Sequence, residues 1–477
     1  DAELSLSSDV LPEIREYERT LATTINAALK PVMNRYLGRL EEGIASAGVP
    51  AAMQVMQSNG GVASAAAARE RPVNTLLSGP AAGVRGAAHV AGAAGFDDVL
   101  TMDMGGTSCD VSLVRDGDPV VSTEGSVGEY PVNVPMVDVH TIGAGGGSVA
   151  WVDEGGSLRV GPRSAGADPG PICYGRGGTE PTVTDAHLLL GRIDPGAFFA
   201  ESADEATVRE AVRERIADPL DLSVDAAAQG ILDVANANME RALRVVSVER
   251  GHDPRDFSLV AYGGAGPLHA AELAAELDVP QVVVPRSAGV LSALGLLISD
   301  VVYEDGVSAV RPWDAVDPTA LTERFEALAD ERRDRLADEG YPPERRRFER
   351  AVNLRYRGQS FDLRVPLPDG PLDDAALETV ENRFHERHER RYGHASPDEP
   401  VELVTLRLRS RGVVDPPALS MADEATGTPA PRATRTASFD GATHETPVFD
   451  RAALGPDATL DGPAVIEGTE STVVVPP

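Results

Sequence analysis

The stretch Thr101-Met102-Asp103-Met104-Gly105-Gly106-Thr107-Ser108-Cys109-Asp110-Val111-Ser112-Leu113-Val114 restricts the possible folds of this chain more than any other. Val99 and Leu100 lead into it as an extended apolar run, and Val111, Leu113 and Val114 resume that pattern beyond it. The glycines therefore fall at the tip of a strand-turn-strand hairpin. Gly105 and Gly106 carry no side chain to block close approach and are free to take positive φ, so successive N–H groups there converge on an anion such as a phosphate. The hydroxyls of Thr107 and Ser108 add donors. Asp103, at the end of the incoming strand, is placed to hold the water shell of a Mg²⁺ ion or to orient an attacking water. No Gly-Lys-Ser/Thr follows, so the loop is not a P-loop. Taken alone, these residues fit a plain Gly-Gly turn with a capping aspartate equally well; the rest of the chain decides between the two.

Before the hairpin, apolar residues recur at helical steps from residue 11 to residue 47, and Pro31 is expected to break or kink that run into two helices. Residues 51–56 suggest a strand ending in the turn Ser58-Asn59-Gly60-Gly61. Small residues in Leu76-Leu77-Ser78-Gly79-Pro80-Ala81-Ala82-Gly83 point to close backbone approach, to a nucleotide or to a neighbouring helix. After the hairpin, Gly145, Gly146 and Gly147 imply a backbone surface held open for a ligand or partner, with His140 just upstream on an apolar strand as a core histidine or a functional group. Residues 161–178 are too rich in Gly and Pro for regular structure and too rich in special residues for an idle linker, which makes them an ordered functional loop, with Arg163, Asp168, Cys173 and Arg176 as candidates. Asp185 reads as a helix N-cap, and it and His187 are poorly spaced for a shared metal on a helix.

A second glycine element follows. Phe257-Ser258-Leu259-Val260-Ala261-Tyr262 is a buried strand running into Gly263-Gly264-Ala265-Gly266-Pro267, where a helix begins with its positive end free for a negative group. Farther on, residues 313–340 and 375–392 read as helices, with His385, His388 and His394 on a solvated face, residues 351–366 as a strand pair, and residues 416–434 as a loop or linker.

The charge balance narrows the partners. Asp and Glu number 75 against 43 Lys and Arg, a net charge of −32, and Lys30 is the only lysine. Such a surface suits concentrated salt, where screening removes self-repulsion, so a halophilic source is expected. It disfavours nucleic acid and anionic membranes as partners. Two cysteines allow no disulfide framework and fit a cytoplasmic setting, and the longest apolar run, residues 288–298, is too short to span a bilayer.

With these motifs in view, DMGGTSCDVSLV, LLSGPAAGV, HTIGAGGGSVAWVD, SAGADPGPICYGRGGTEPTVTDAHLLLGRI, YGGAGPLHA and GPAVIEGTESTVVVPP together resemble the hydantoinase A / 5-oxoprolinase family, whose relatives include an acetone carboxylase subunit. The resemblance covers nearly the whole chain. It implies an α/β fold: an actin, heat-shock-chaperone and sugar-kinase-like (RNase H-like) ATPase lobe followed by a smaller α+β C-terminal domain. The expected segments are a lead-in over residues 1–75 continuing from an absent N-terminal lobe, an ATPase core over 76–310 and the C-terminal domain over 311–477. By the same resemblance Gly105, Gly106, Thr107 and Ser108 meet the phosphates of ATP, Gly263, Gly264 and Gly266 match the adenosine motif, and residues 288–295 are a hinge helix.

The family's first phosphate hairpin, carried by an N-terminal domain, is not in this sequence, so the resemblance implies either the distal part of a split or truncated protein or a separate N-terminal lobe on a partner; the family chemistry implies a hydantoinase B-type subunit as a partner as well. The implied chemistry is ATP-dependent opening of a small cyclic amide (5-oxoproline, a hydantoin or an N-methylhydantoin) through a phosphorylated amide, with ATP and Mg²⁺ as cofactors. Asp103 and Thr107 are the catalytic candidates, Asp103 holding Mg²⁺ through water, and His140 and Arg163 the substrate-side ones. Alternatives are an ATP-dependent ketone carboxylase subunit and a non-catalytic actin-like module.

Overall fold

The structure, a computed structural model, describes residues 3–123, 125–127, 130–194, 196, 204–416 and 429–477. Contacts divide the chain into two units, one of Asp1–Ala82, Val121–Asp138 and Leu296–Pro417, the other of Gly83–Val120, Val139–Gly295 and Ala418–Pro477.

The second unit carries the hairpin. Val99–Met104 and Cys109–Arg115 pair antiparallel, and Val139–Ile142 adds antiparallel to the outer side of the latter. On its other edge Val99–Met104 pairs in parallel with Ser258–Tyr262, which pairs in parallel with Val282–Val283. Three antiparallel strands followed by two parallel ones form the sheet of an RNase H-like lobe, as the resemblance implies. The helix Val224–Val246 buries Ala228, Ile231, Leu232, Ala235, Met239, Ala242 and Leu243 at three- and four-residue steps. These pack with Leu100, Met102, Val111, Leu113, Leu259 and Ala261 in one core, each large side chain contributing about 2 kcal/mol. A four-stranded sheet (Ala433–Phe439, Ala442–Asp450, Ala464–Glu467, Thr472–Val475) packs Ala437, Phe439 and Val474 on Leu268 and Ile193.

In the first unit a six-stranded sheet runs in the order Gln54–Met56, Val62–Ser64, Val301–Pro312, Val401–Gly412, Arg346–Tyr356, Leu363–Pro366. Helices Pro318–Asp338 and Asp374–Tyr392 bury Leu321, Phe325, Val380 and Phe384 against it.

Several expectations are corrected here. One helix, Glu16–Ser46, runs through Pro31; the ring removes one backbone donor, but Ala22, Asn26 and Leu37, buried on either side of it, hold the flanking turns in place. His388 is not on a solvated face: it is fully buried, its ring 4.8 Å from that of Tyr356 and its Nδ1 2.8 Å from the His394 carbonyl oxygen. His385 Nδ1 lies 2.8 Å from the Tyr356 hydroxyl. Of the small residues after Leu77, Gly83 serves packing, because a Cβ there would lie 2.8 Å from Tyr262 Oη, as does Gly86 just beyond, 2.6 Å from the Leu291 carbonyl, whereas a Cβ at Gly79 would meet nothing within 4 Å. The expected linker over 416–434 lies mostly outside the described residues. Among the described residues no helix is long and apolar enough to cross a membrane.

Candidate functional site

The tip of the hairpin is a tight turn in which Gly105 N–H donates to the Ser108 carbonyl at 3.1 Å. Neither Gly105 nor Gly106 has positive φ, contrary to expectation, and a Cβ on either would meet nothing within 4 Å. The fold therefore does not require glycine at these two positions. Their open side faces a cavity of about 270 Å³.

The glycines opposite are needed for the opposite reason. Gly146 N–H donates to the Gly105 carbonyl at 3.0 Å and Gly147 N–H to the Gly106 carbonyl at 2.8 Å, which lays a glycine strap directly on the hairpin tip. A Cβ at Gly145 would sit 2.5 Å from the Gly106 carbonyl carbon and the Thr107 nitrogen. Gly145 and Gly147 are thus packed against backbone rather than held open, and only Gly146 of the three lines the cavity. Thr184 ties the strap from behind, its N–H and Oγ1 both donating to the Gly146 carbonyl at 2.8 Å.

The second glycine element meets the first here. Gly263, at φ +78°, packs onto the hairpin so closely that a Cβ would lie 2.4 Å from Asp103 Oδ1. Gly264 lines the cavity with Ala265, while Gly266 starts the helix Gly266–Glu276 and packs beneath, 3.4 Å from the Met102 carbonyl by the same measure. The N–H groups of Gly106, Thr107 and Gly264 donate to none of the described residues. Free donors beside the N-terminus of an eleven-residue helix are suited to hold an anion. The far rim is Glu470-Ser471-Thr472, brought in by the turn in which Gly468 N–H donates to the Ser471 carbonyl at 2.9 Å. Sequence reasoning missed this rim, because nothing local in the last strand pair signals a partner some 200 residues away.

Of the other candidates, Thr107 and Ser108 sit on the turn but do not line the cavity. Asp103 lies behind it, opposite Asp110 in the strand pairing. Burial first, and the Asp110 charge second, push its carboxyl up to about 6. Asp110 accepts a hydrogen bond from Thr141 Oγ1 at 2.5 Å, whereas Asp103 accepts none from the described residues. Two adjacent carboxylates, one uncompensated, are chemically suited to a hydrated divalent cation. No group of three or more His, Cys, Asp or Glu among the described residues could hold a metal ion unaided, so Mg²⁺ here would depend on ligand oxygens and water. His140 lines a different cavity, and exposed Arg163 is paired with Glu180, Nη2 to Oε1 2.7 Å.

Contrary to expectation, residues 161–164 are regular structure, the end of the strand Leu158–Ser164, which pairs antiparallel with Ser148–Val152; the loop after it is ordered by Asp185, which is not an N-cap. Thr182 caps the helix Val183–Leu189, and Asp185 is the reciprocal member of a capping box. Its buried carboxylate accepts from Ile172 N–H (3.2 Å), Cys173 N–H (2.8 Å), Thr182 N–H (2.9 Å) and Thr182 Oγ1 (2.8 Å), bringing Cys173 and Tyr174 to the cavity wall. His187, two residues on, is buried with its Nε2 3.1 Å from Nε2 of His269.

Comparison with known proteins follows the same lines. The Hydantoinase/oxoprolinase profile matches residues 19–305, and that of the Hydantoinase/oxoprolinase C-terminal domain residues 314–477. The caprolactamase subunit alpha of Pseudomonas jessenii is 39% identical over 98% of this chain and 69% of its own length. The crystal structure of ATP-dependent caprolactamase from that organism matches with a TM-score of 0.89 and 38% identity, covering 99% of this chain and 70% of that one. 5-oxoprolinase 1 of Arabidopsis thaliana is 34% identical over 99% of this chain, which spans only 38% of that protein. A nucleotide-free acetone carboxylase structure matches with a TM-score of 0.79 and 27% identity over 98% of this chain and 68% of that one.

Proposed function

The chain belongs to the hydantoinase/oxoprolinase family, and from that premise we propose that it binds ATP in the cavity between the hairpin and Gly264 and hydrolyses a cyclic amide as one subunit of a complex. The observation that carries this reading is the open face of Gly105 and Gly106, two glycines that neither backbone conformation nor packing explains, set among unpaired N–H donors.

In the proposed reaction the amide oxygen bonds to the γ-phosphorus of ATP as the bond to the β-phosphate oxygen breaks. Water then attacks the activated carbon, the C–N bond breaks with the ring nitrogen taking a proton to leave an acyl phosphate, and a second water releases phosphate and the free carboxylate. The N–H groups of Gly106 and Gly264 and the start of the helix Gly266–Glu276 hold the phosphates at the cavity wall, and Thr107, on the turn beside the cavity rather than lining it, adds its N–H and hydroxyl from the edge. Asp103 would hold Mg²⁺ through a bound water. Mg²⁺, when bound, supplies neutralisation of charge on the transferred phosphoryl group. Of the substrate-side candidates, Arg163 would have to leave Glu180, and His140 faces a separate cavity. On this reading the ATPase core is residues 76–310 and the C-terminal domain 311–477, with a B-type subunit and a separate N-terminal lobe as candidate partners, in the cytoplasm.

The test is phosphate release from ATP and Mg²⁺ with 5-oxoproline, hydantoin and caprolactam, with the chain alone and with candidate partner subunits. Release stimulated by a cyclic amide supports the reading; none in any combination by a folded protein overturns it. The likeness to acetone carboxylase favours a second reading, an ATP-dependent carboxylase subunit. A bicarbonate requirement with a ketone substrate would select it.

A further inference from the structure

A second cavity of about 410 Å³ lies on the other side of the glycine strap. Its size falls within the range of small-molecule sites, about 300–1,000 Å³. Gly143 and Ala144 line it, and the residues that follow them, Gly145–Gly147, rest on the hairpin tip. Its walls are mostly apolar and include Val234 and Val245 from one helix and Trp151, the indole N–H of which donates to the Gly161 carbonyl at 3.1 Å. The polar groups at its mouth are His140, Arg159, Asn238 and Arg241. None of the described residues lining it is Asp or Glu, in a chain with 75 acids against 43 Lys and Arg. Arg159 is held by Asp153, Nε to Oδ2 2.8 Å, but Arg241 and His140 pair with none of the described residues.

We propose that this cavity binds a small aliphatic carboxylate, with the carboxylate on the Arg241 guanidinium and the hydrocarbon chain against Trp151, Val234 and Val245. An apolar recess with the exposed Arg241 guanidinium at its rim, paired with none of the described residues, and no acid among the described residues that line it disfavours cations and rewards an anion with an apolar tail. The proposal does not depend on the nucleotide reading, because none of these residues belongs to the hairpin cavity.

Hexanoate and hexylamine serve as probes, titrated calorimetrically into the full chain. Hexanoate binds saturably, hexylamine does not, and Arg241→Ala weakens hexanoate by about tenfold or more, as loss of a charge-assisted hydrogen bond implies. Fluorescence locates the site, since Trp151 and Trp313 are the only tryptophans. The hexanoate-induced change persists in Trp313→Phe and vanishes in Trp151→Phe. Absence of saturable hexanoate binding, equal binding of hexylamine, or unchanged affinity in a folded Arg241→Ala protein overturns the assignment.

Discussion

Asp103 and Asp110 face each other as register partners across the hairpin, and among the described residues only Asp110 has a hydrogen-bond donor, Thr141 Oγ1 at 2.5 Å. The Asp103 carboxyl is pushed up to about 6 because burial and then its neighbour's charge oppose its ionisation. An acid kept in a position that penalises its charged form is a mark of a site built for a ligand rather than for stability.

Asp103→Asn should therefore stabilise the protein at neutral pH while impairing ATP turnover. The folded state holds the Asp103 proton up to about pH 6, the unfolded chain only to about 3.8. That contribution to stability is present at low pH and lost as pH rises through this window. Thermal melts of wild type and variant should coincide near pH 4 and separate by pH 7, the variant ahead by roughly 1–3 kcal/mol. A constant gap across the range would contradict this.

The glycines of the strap and of the tip should respond in opposite ways. Gly145→Ala forces a Cβ to within 2.5 Å of backbone and should cost roughly 2 kcal/mol or more in urea unfolding. Gly106→Ala enters open space and should leave stability within about 0.5 kcal/mol, yet weaken ATP binding. Equal destabilisation by both would mean that the tip is merely structural.

Acid should unfold the protein through its buried histidine pair. Asn236 Nδ2 donates to Glu272 at 2.6 Å, so Asn236 Oδ1 accepts from His269 Nδ1 at 2.7 Å, and His269 Nε2 is left as the acceptor for His187. Burial drives the His187 pKa well below the usual imidazole range and that of His269 down to about 3. Stability is complete above about pH 7.5, where the unfolded imidazoles are also neutral, and falls as pH drops through 6.5 toward 3. Each histidine should account for about 1.5 kcal/mol between pH 6.5 and 5, and His269→Gln should flatten that slope in pH-dependent melts.

The net charge of −32 gives a salt prediction. Melting temperature should rise by at least about 5 °C between roughly 0.1 M and 2 M KCl as self-repulsion is screened. A melt no lower in dilute buffer would remove the case for a halophilic source.

What the sequence revealed was local. The hairpin appears in the structure as Val99–Met104 and Cys109–Arg115 because alternation and a Gly-Gly turn act within a few residues. Contacts between distant segments were not legible: the strap of Gly146 and Gly147 on the hairpin tip, the rim at Glu470 and the loop anchored by Asp185 all depend on tertiary packing. His388 was misread because its arginine neighbours in sequence are not its neighbours in space, where Tyr356 and Phe384 surround it. At Pro31, tertiary burial of the flanking turns outweighed a local breaker.

The most direct test of the central claim is calorimetric titration of ATP with Mg²⁺ into the wild-type chain and Gly106→Val, both verified as folded. A valine there fills the space proposed for the phosphates while meeting no protein atom at its Cβ. Binding by the wild type and its loss in the variant is the result the account predicts. Equal affinity in both proteins would contradict it.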